Sequence, residues 1–496
     1  MQTTAPSTPS TRNHFDVLVV GAGISGIGAA RHLATQCPGK TFVVLEKMPT
    51  FGGTWVTHKY PGIRSDSDLY TFGYRFKPWV GPPVATAPEI LKYLGEVLEE
   101  GGLAPHIRYR HTITGAHWSS RDKQWTVEAT NAEDGSRQVF TAGFLWMCQG
   151  YYNHEQGYTP EWPGMSDFQG RILHPQTWPD DVDLGGKRVV VIGSGATAAT
   201  LVPAIAGDCA HVTLLQRSPT YFYPAPNQNE LADLLRLLKI NEEWIHHIVR
   251  EKLLYDQREL TRRSREEPEV VKAELLDAAR AIVGPEVVAQ HFTPSYRPWQ
   301  QRMAYIPDGD LFVGVASGKA DVVTDHIERF TPRGILLKSG RELEADVVVT
   351  ATGFNLSVLG DIPFEVDGKP VDWARTITYR GMMFTGVPNM AWVFGYFRAS
   401  WTLRVDLVAD VVCRLLRHMD ARHAQQVEVA LRPEDRGDPV LPWIDADNFN
   451  PGYLMRRIHL MPRRLDKPQW QHNQDYWTEK DELPAIDLSG TEFVYS

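Results

Sequence analysis

The sequence contains little cysteine and no excess of positive charge. Only four of its 496 residues are cysteines, and they are scattered without a CxxC pair, so neither a zinc site nor a redox-active disulfide is predicted. The formal net charge of −9 at pH 7 argues against a nucleic-acid-binding surface. No uninterrupted apolar run reaches the roughly 18 residues of a membrane-spanning helix, so no integral membrane segment is expected.

The N-terminus lacks an apolar segment as well. Residues 1–13 are polar and rich in serine, threonine and proline, so they are predicted to be disordered rather than a secretory signal. A cytoplasmic, reduced protein is therefore expected. The chain is too long for one hydrophobic core, and its 43% hydrophobic and 22% charged residues predict two or more globular domains.

A glycine-rich turn follows the first apolar run. The segment FDVLVV predicts a buried parallel strand, and GAGISG, an alanine-rich helix and a second strand that ends at Glu46 follow it. This is the dinucleotide-binding fingerprint in its usual context. Gly21 allows the tight turn, Gly23 lets a pyrophosphate approach the backbone, and Gly26 lets helix and strand pack closely. Glu46 would accept hydrogen bonds from a ribose; the alternative is a structural turn without a ligand.

A second strand, turn and helix lie in the middle of the chain. The segment KRVVVIGSGATAAT sets Gly193 and Gly195 in a GxGxxA pattern, which still permits close helix packing. At the ribose position the next strand carries no acid and reads Gln216, Arg217, Ser218. An acid would repel a 2′-phosphate, whereas Arg217 can pair with one through two hydrogen bonds. The site is predicted to bind NADPH rather than NADH, the alternative being an ordinary surface arginine.

The stretch FQGRILHPQTWP, residues 168–179, lies between the two turns and sets phenylalanine, glycine, histidine, tryptophan and proline at fixed offsets. The alternative interpretation is a linker with a turn. The stretch resembles the FxGxxxHxxxWP fingerprint of the Baeyer–Villiger monooxygenases, which use FAD and NADPH. A second stretch, GGTWVTHKYPGIRSDSD, resembles their signature [AG]GxWxxxx[FY]PGxxxD. The likeness covers nearly all of the chain and is closest to the ethionamide-activating type, on YPGIRSDSD, GYYNHEQGYTPE, HFTPSYRPWQQR, GKADVVTDHIERF and ASWTLR.

The resemblance implies an α/β fold with two dinucleotide-binding, Rossmann-like domains. The FAD-binding domain is expected to be discontinuous, from residues 14–150 and 340–496. The NADPH-binding domain would span residues 151–339, with a helical insertion at about 226–290. The region after residue 420 is rich in proline and polar residues, and only surface packing is predicted for it.

The resemblance also assigns site residues. The family's flavin-side aspartate corresponds to Asp66, its essential arginine to Arg302, and the tryptophan near bound NADP to Trp401. The stretch that runs beside the flavin in the family corresponds here to Gly53, Thr54 and Trp55. In that stretch the glycine would let backbone approach the flavin, and the tryptophan would form a flat apolar wall unless it is only part of the core.

The sequence departs from the family's pattern beside the essential arginine. Many members carry a lysine there as a second contact to the 2′-phosphate, whereas this chain carries Gln301. His174, in the stretch between the two turns, is interpreted as coupling the linker to domain rotation rather than as a base.

The implied reaction consumes NADPH and O2 and inserts one oxygen atom next to a ketone carbonyl, giving an ester or lactone; this subgroup also oxygenates sulfides. It requires a permanent cation, and Arg302 stays protonated at any working pH. Asp66 could orient it. The alternative interpretations are that Asp66 is a turn residue and that Arg302 forms a structural salt bridge.

Three other functions stay open. The first is a flavin-containing monooxygenase that acts mainly on the sulfur or nitrogen of soft nucleophiles. The second is a disulfide or ferredoxin reductase, which would need a CxxC pair or a protein-acceptor site. The third is a nucleotide-binding regulator without catalysis, which would not consume NADPH and oxygen. No metal is needed for the preferred reaction.

Overall fold

The computed structural model describes residues 13–496, so the prediction of a disordered N-terminus lies almost entirely outside the described residues. The strands, in chain order, are β1 (His14–Val20), β2 (Phe42–Leu45), β3 (Ile107–Arg108), β4 (His111–Ser119), β5 (Gln124–Asn131), β6 (Arg137–Met147), β7 (Tyr152–Gly157), β8 (Arg171–Leu173), β9 (Arg188–Ile192), β10 (His211–Gln216), β11 (Phe222–Ala225), β12 (Ala304–Pro307), β13 (Ala320–Thr324), β14 (Ile327–Thr331), β15 (Gly334–Leu337), β16 (Glu342–Glu344), β17 (Val347–Thr350), β18 (Phe354–Leu356), β19 (Phe364–Val366), β20 (Lys369–Pro370), β21 (Thr378–Tyr379), β22 (Met383–Phe384), β23 (Met390–Trp392), β24 (Val427–Val429) and β25 (Phe493–Tyr495).

The α-helices are α1 (Ile24–Gln36), α2 (Thr54–Thr57), α3 (Leu69–Phe72), α4 (Ala87–Glu100), α5 (Ala196–Ile205), α6 (Glu230–Leu237), α7 (Glu242–Glu266), α8 (Pro268–Val283), α9 (Pro285–His291), α10 (Asp310–Ala316), α11 (Trp401–Ala421), α12 (Gly452–Met455) and α13 (Tyr476–Glu482). Among residues 13–496, no helix is both long and apolar enough to cross a membrane.

The first sheet has the strand order β20-β19-β4-β5-β6-β1-β2-β3, and β23 also pairs with β6. Strand β1 lies between β2 and β6 and runs parallel to both, and its apolar residues are buried. Strands β4, β5 and β6 are antiparallel, as their alternating residues and the NAEDGS turn predict. Helix α4 begins after Thr86, whose backbone N–H donates to the carboxylate of Glu89 in a capping box.

The second sheet has the order β13-β10-β9-β17-β8, and all of its strands are parallel. Together the two sheets, each with its strand–turn–helix unit, confirm the predicted α/β class with two dinucleotide-binding folds. The boundary predicted at residue 340 is wrong for β17, because this strand pairs with β9 and β8. Its sequence, VVVT, suits a buried parallel strand in either sheet, so only the long-range pairing decides where it belongs.

Helices α6 to α9 occupy the predicted insertion of about 226–290. They pack against both sheets rather than against one. Ile245 and Val249 of α7 join the hydrophobic core beside the first sheet, whereas Leu275 of α8 and Val288 of α9 join the core of the second. The insertion therefore connects the two halves of the molecule.

Candidate active site

A cavity of about 1100 Å³ is lined by both glycine-rich turns. Every site residue predicted from the sequence lines it except Gly26. These lining residues are Gly21, Gly23, Glu46, Gly53, Thr54, Trp55, Asp66, Gly193, Gly195, Arg217, Ser218, Arg302 and Trp401. Residues far apart in the sequence are thus brought to one cavity.

The first glycine-rich turn is tightly enclosed by backbone. Gly21 has a φ of +95°, and a Cβ there would lie 3.0 Å from the carbonyl oxygen of Cys148. A Cβ on Gly26 would lie 1.8 Å from the carbonyl oxygen of Gly21, which explains why Gly26 packs beneath the turn and not at the cavity. Gly23 has ordinary space beside it and precedes α1, whose N-terminus no side chain caps. A pyrophosphate fits such a free helix N-terminus.

Glu46 directly follows β2 and is only 5% exposed. Its Oε2 accepts a hydrogen bond from the backbone N–H of Ala22 at 2.6 Å, and its Oε1 accepts one from Met48 at 2.8 Å. Burial raises the pKa of this carboxyl group, and the two backbone donors oppose that effect. The carboxylate therefore fixes the glycine-rich turn as well as facing the cavity, and its contact with a ribose stays a prediction.

The segment from Gly53 to Trp55 lies against the first turn. Gly53 has a φ of +56°, and a Cβ there would lie 3.1 Å from the Cα of Gly23. The hydroxyls of Thr54 and Tyr152 are hydrogen-bonded at 2.6 Å. Trp55 lines the cavity and also packs edge-on against Phe72, with ring centroids 5.9 Å apart, and its role as a wall beside the flavin stays a prediction.

The second glycine-rich turn is more open than the first. Gly193 has a φ of +134°, and a Cβ there would lie 2.2 Å from the carbonyl oxygen of Ala351. Gly195 precedes α5 and has no atom within 4 Å of the position where a Cβ would stand. The turn therefore needs its first glycine for folding, whereas its second glycine leaves free space at a helix N-terminus.

Arg217 and Ser218 are exposed and line the cavity next to this turn. Gln216, which stands where an acid would bind a ribose, is buried. Its side-chain amide donates to the carbonyl oxygen of His291 at 2.5 Å and to the hydroxyl of Thr324 at 2.9 Å. This glutamine is used for folding, which leaves Arg217 and Ser218 as the polar residues of this stretch that line the cavity.

Arg302 and Asp66 form a two-point ion pair although they are 236 residues apart. Nε of the arginine donates to Oδ2 of the aspartate at 3.0 Å, and Nη2 donates to Oδ1 at 2.9 Å. The two side chains are 36% and 22% exposed, and both line the cavity. The charge of Asp66 raises the pKa of Arg302, so the arginine is a permanent cation. The predicted orienting contact is present, in the geometry that a guanidinium and a carboxylate favour.

Trp401 begins α11 and lines the cavity. Its indole N–H donates to the hydroxyl of Ser25, inside the GAGISG turn, at 2.8 Å. Its ring stacks on Tyr151 with centroids 5.2 Å apart and planes 20° apart. The tryptophan thus links the first glycine-rich turn to the aromatic part of the cavity wall.

His174 does not line the cavity. Its Nδ1 accepts a hydrogen bond from the backbone N–H of Gln176 at 3.1 Å. Its ring lies where a side chain on Gly157 would be, because a Cβ there would come within 1.9 Å of it. Burial lowers its pKa. The histidine therefore packs on β7, the strand that leads from the first half of the molecule to the second, and its coupling to domain rotation stays a prediction.

Two tyrosines of the cavity wall were not predicted. Tyr151 and Tyr453 both line the cavity close enough to Arg302 for its charge to influence their pKa. Tyr151 lies just beyond β6, which ends at Met147 and runs parallel to β1, and ligands usually bind beyond such strand ends, so that position was a usable signal. Tyr453 belongs to an irregular C-terminal region in which no periodic pattern indicates its neighbours.

Comparisons with known proteins show the family and the fold of the chain. A flavin-binding monooxygenase-like family model matches residues 82–228, and an NAD(P)-binding Rossmann-like domain model matches residues 19–81. The FAD-containing monooxygenase EthA of Mycolicibacterium smegmatis is 46% identical over 470 residues, which cover 94% of this chain and 93% of that protein. The probable FAD-binding monooxygenase AlmA of an Acinetobacter species is 42% identical over 470 residues, with the same shares of the two chains.

Solved structures share the fold. An oxidized steroid monooxygenase bound to NADP is 23% identical with a TM-score of 0.74, over 97% of this chain and 99% of that one. Cyclohexanone monooxygenase from Rhodococcus sp. Phi1 bound to NADP+ is 22% identical with a TM-score of 0.74, over 98% and 100%. The fold is thus that of two-dinucleotide flavoprotein monooxygenases. The chain belongs to the family of FAD-containing monooxygenases that includes EthA.

Proposed function

We propose that the protein is an FAD-dependent, NADPH- and O2-consuming monooxygenase of the Baeyer–Villiger type. It inserts one oxygen atom next to a ketone carbonyl to give an ester or lactone, and it also oxygenates sulfides. The observation that carries the proposal is the two-point contact between Arg302 and Asp66 inside a cavity that both glycine-rich turns line.

Arg302 supports the reaction because its guanidinium is a permanent cation, and Asp66 holds that cation in a fixed orientation. Asp66 occupies Nε and Nη2 of Arg302, and no described residue accepts a hydrogen bond from Nη1. That nitrogen can donate to negative charge that develops on oxygen during the reaction. A preorganised donor stabilises such charge more strongly the less water reaches it.

The cavity wall divides between the two cofactors. The first turn with Glu46 would hold FAD, and Gly53, Thr54 and Trp55 would lie beside its ring system. When bound, FAD supplies the redox chemistry that accepts hydride from NADPH and activates O2. The groups that would hold NADPH are Gly193, Gly195, Arg217, Ser218 and Trp401.

The proposed domains follow this division. The FAD-binding domain comprises residues 14–150 and the C-terminal part of the chain after β17, whereas the NADPH-binding domain comprises the segment from about residue 151 through β17. We place the protein in the cytoplasm, which fits the four free cysteines among the described residues.

A paired substrate panel tests the proposal. Purified protein, NADPH and 18O2 would be incubated with ketones and with thioethers of the same carbon skeleton, and the products would be identified by mass. One labelled oxygen atom in an ester or lactone is expected, together with labelled sulfoxide from the thioethers. Heat-denatured protein with free FAD is the control.

Two outcomes would contradict this function. If only the thioethers gain oxygen, the protein is a monooxygenase of soft nucleophiles rather than of the Baeyer–Villiger type. If NADPH and O2 are not consumed with any substrate, catalysis of this kind is absent.

A further inference from the structure

The C-terminal segment from Pro451 to Arg456 forms part of the cavity wall, although the sequence predicted only surface packing for this region. Two contacts hold it against the site. The backbone N–H of Asn450 donates to the carbonyl oxygen of Gln300, two residues before Arg302, at 3.1 Å. Nη2 of Arg456 donates to the carbonyl oxygen of Phe354 at 3.0 Å. The position of this segment is therefore tied to the loop that carries the catalytic arginine.

Within this segment, Tyr453 has the side chain best suited to act on a substrate. Its hydroxyl oxygen is buried and forms no hydrogen bond of normal geometry among the described residues, although the hydroxyl of Tyr151 is close enough to influence its pKa. The centroid of its ring lies 6.1 Å from that of Tyr151. The charges of Arg302 and Asp66 both influence the pKa of its hydroxyl. A buried hydroxyl without a partner is costly, so a ligand that accepts its hydrogen bond would stabilise the site.

The protonation state of this hydroxyl is fixed as well. Burial raises the pKa of Tyr453 well above the ordinary value, and the nearby Arg302 only partly opposes this effect. The phenol therefore keeps its proton at any working pH and can act as a hydrogen-bond donor.

We propose that Tyr453 donates a hydrogen bond to the carbonyl oxygen of ketone substrates, next to Arg302, and that it does not serve thioether substrates. This inference rests on the proposed function and adds a second donor to its site. Together Nη1 of Arg302 and the hydroxyl of Tyr453 would provide two donors for polar groups in the reacting region.

The chemistry of the two substrate classes differs at this point. A carbonyl oxygen gains negative charge as its carbon is attacked, and a fixed donor lowers the barrier by stabilising that charge. A thioether sulfur is itself the nucleophile and only a weak hydrogen-bond acceptor. Removal of the hydroxyl should therefore slow ketone oxygenation selectively, whereas general damage to the site should slow both reactions.

Tyr453→Phe tests the proposal in the holoenzyme, with a ketone and a thioether of the same carbon skeleton. The ratio of kcat/KM for the ketone to kcat/KM for the thioether should fall about 100-fold, the usual effect of removing one such donor. The FAD content and the rate of flavin reduction by NADPH should stay unchanged. Tyr453→Met, which also lacks the hydroxyl, should show the same loss of selectivity.

Tyr495→Phe is a matched control. It also deletes a C-terminal tyrosine hydroxyl, but one that donates to the carbonyl oxygen of Leu488 at 2.7 Å and does not line the cavity. Its ketone-to-thioether ratio should equal that of the wild type.

Equal losses with both substrates in Tyr453→Phe would overturn the inference, as would unchanged ketone oxygenation. Both outcomes leave the proposed function intact, provided that the wild type makes ester or lactone. If the wild type oxygenates the thioether but no ketone, the proposed function fails, and the role of Tyr453 fails with it.

Discussion

The two glycine-rich turns follow the same sequence pattern but differ in how the rest of the protein surrounds them. The first turn is enclosed by its neighbours. Gly26 lies under Gly21, and Gly53 lies beside Gly23. The buried carboxylate of Glu46 accepts a hydrogen bond from the turn. In the second, only the first glycine is crowded. Gly195 faces open space, and the neighbouring Arg217 and Ser218 are exposed.

This difference matches what the two proposed cofactors must do. FAD is expected to stay bound through many turnovers, so its site should be preorganised and enclosed. NADPH must enter and leave as NADP+ in each cycle, so its site should be open, with affinity supplied by charge at the surface. The enclosed turn should therefore fail abruptly when altered, whereas the open turn should lose affinity in small steps.

Gly26→Val should have the largest effect, because it tests the enclosed turn directly. A Cβ at this position would lie 1.8 Å from the carbonyl oxygen of Gly21, so α1 must move away from the turn. Overpacking of this kind costs roughly 3 kcal/mol, which corresponds to FAD binding weakened about 100-fold. The purified variant should be colourless, as measured by the ratio of flavin to protein absorbance.

Gly39→Val is the control for this change, because it lies just after α1 and nothing stands within 4 Å of its added Cβ. That variant should be as yellow as the wild type. A yellow Gly26→Val protein with full FAD content would mean that the first turn is no tighter than the second, and the comparison would fail.

Arg302→Ala should have the next largest effect, and it tests the region where the two cofactor sites meet. FAD should stay bound, because Arg302 contacts Asp66 and not the first turn. Product formation should fall about 100- to 1000-fold, because the developing negative charge loses its counter-charge. NADPH consumption would continue only as uncoupled release of hydrogen peroxide, so the measurement is product formed per NADPH oxidised.

Arg302→Lys separates charge from geometry at the same position. Lysine restores a cation but cannot form the two-point contact with Asp66, so recovery should be small. Ester or lactone formation near the wild-type rate in Arg302→Ala would make this arginine structural.

The sequence predicted the parts of the site that depend on local backbone. Gly21 and Gly193 are needed because the backbone has a positive φ there, and Gly26 is needed because a Cβ would meet the carbonyl oxygen of Gly21. A strand–turn–helix pattern encodes all three within short segments. Contact between Arg302 and Asp66 was different, because 236 residues separate them and only the family resemblance joined them.

The features that could not be predicted from the sequence depend on long-range packing. Strand β17 reads as a buried strand in any parallel sheet, and only its partners β8 and β9 assign it to the second one. Arg250 of the insertion donates to the carbonyl oxygens of Tyr70 and Gly73, at 2.8 Å and 2.9 Å, and no pattern along α7 indicates that contact. Tyr453 was missed for the same reason.

Arg217→Ala tests the open site through its surface charge. Only NADPH carries the 2′-phosphate, so the KM for NADPH should rise about tenfold, as expected for one charge-assisted hydrogen bond at the exposed end of its range. The KM for NADH and the FAD content should not change. Equal increases for both nucleotides would show that Arg217 does not read the 2′-phosphate.

The smallest effect is expected from Gly195→Ala. Measured beside Gly23→Ala, this variant gives the most direct comparison of the two turns. Both glycines hold the middle position of their motif, and both have negative φ values that alanine adopts without strain, −84° and −78°. A Cβ meets no atom within 4 Å at Gly195, and at Gly23 it meets the Cα of Gly53 at 3.6 Å, so neither change should disturb folding. Any loss must then come from the approach of a ligand to the turn.

In Gly195→Ala the ligand can shift by a few tenths of an ångström, because the second site is open. The KM for NADPH should therefore rise only about threefold, roughly 0.6 kcal/mol, with normal FAD content. In Gly23→Ala the added methyl group lies in the enclosed site, where Gly53 already contacts the turn, so the ligand has less room to shift. FAD should therefore be lost on dialysis more readily than from the wild type. If the two variants weaken the binding of their cofactors equally, the difference in enclosure has no energetic consequence. The distinction between a resident and an exchanging cofactor must then arise elsewhere in the protein.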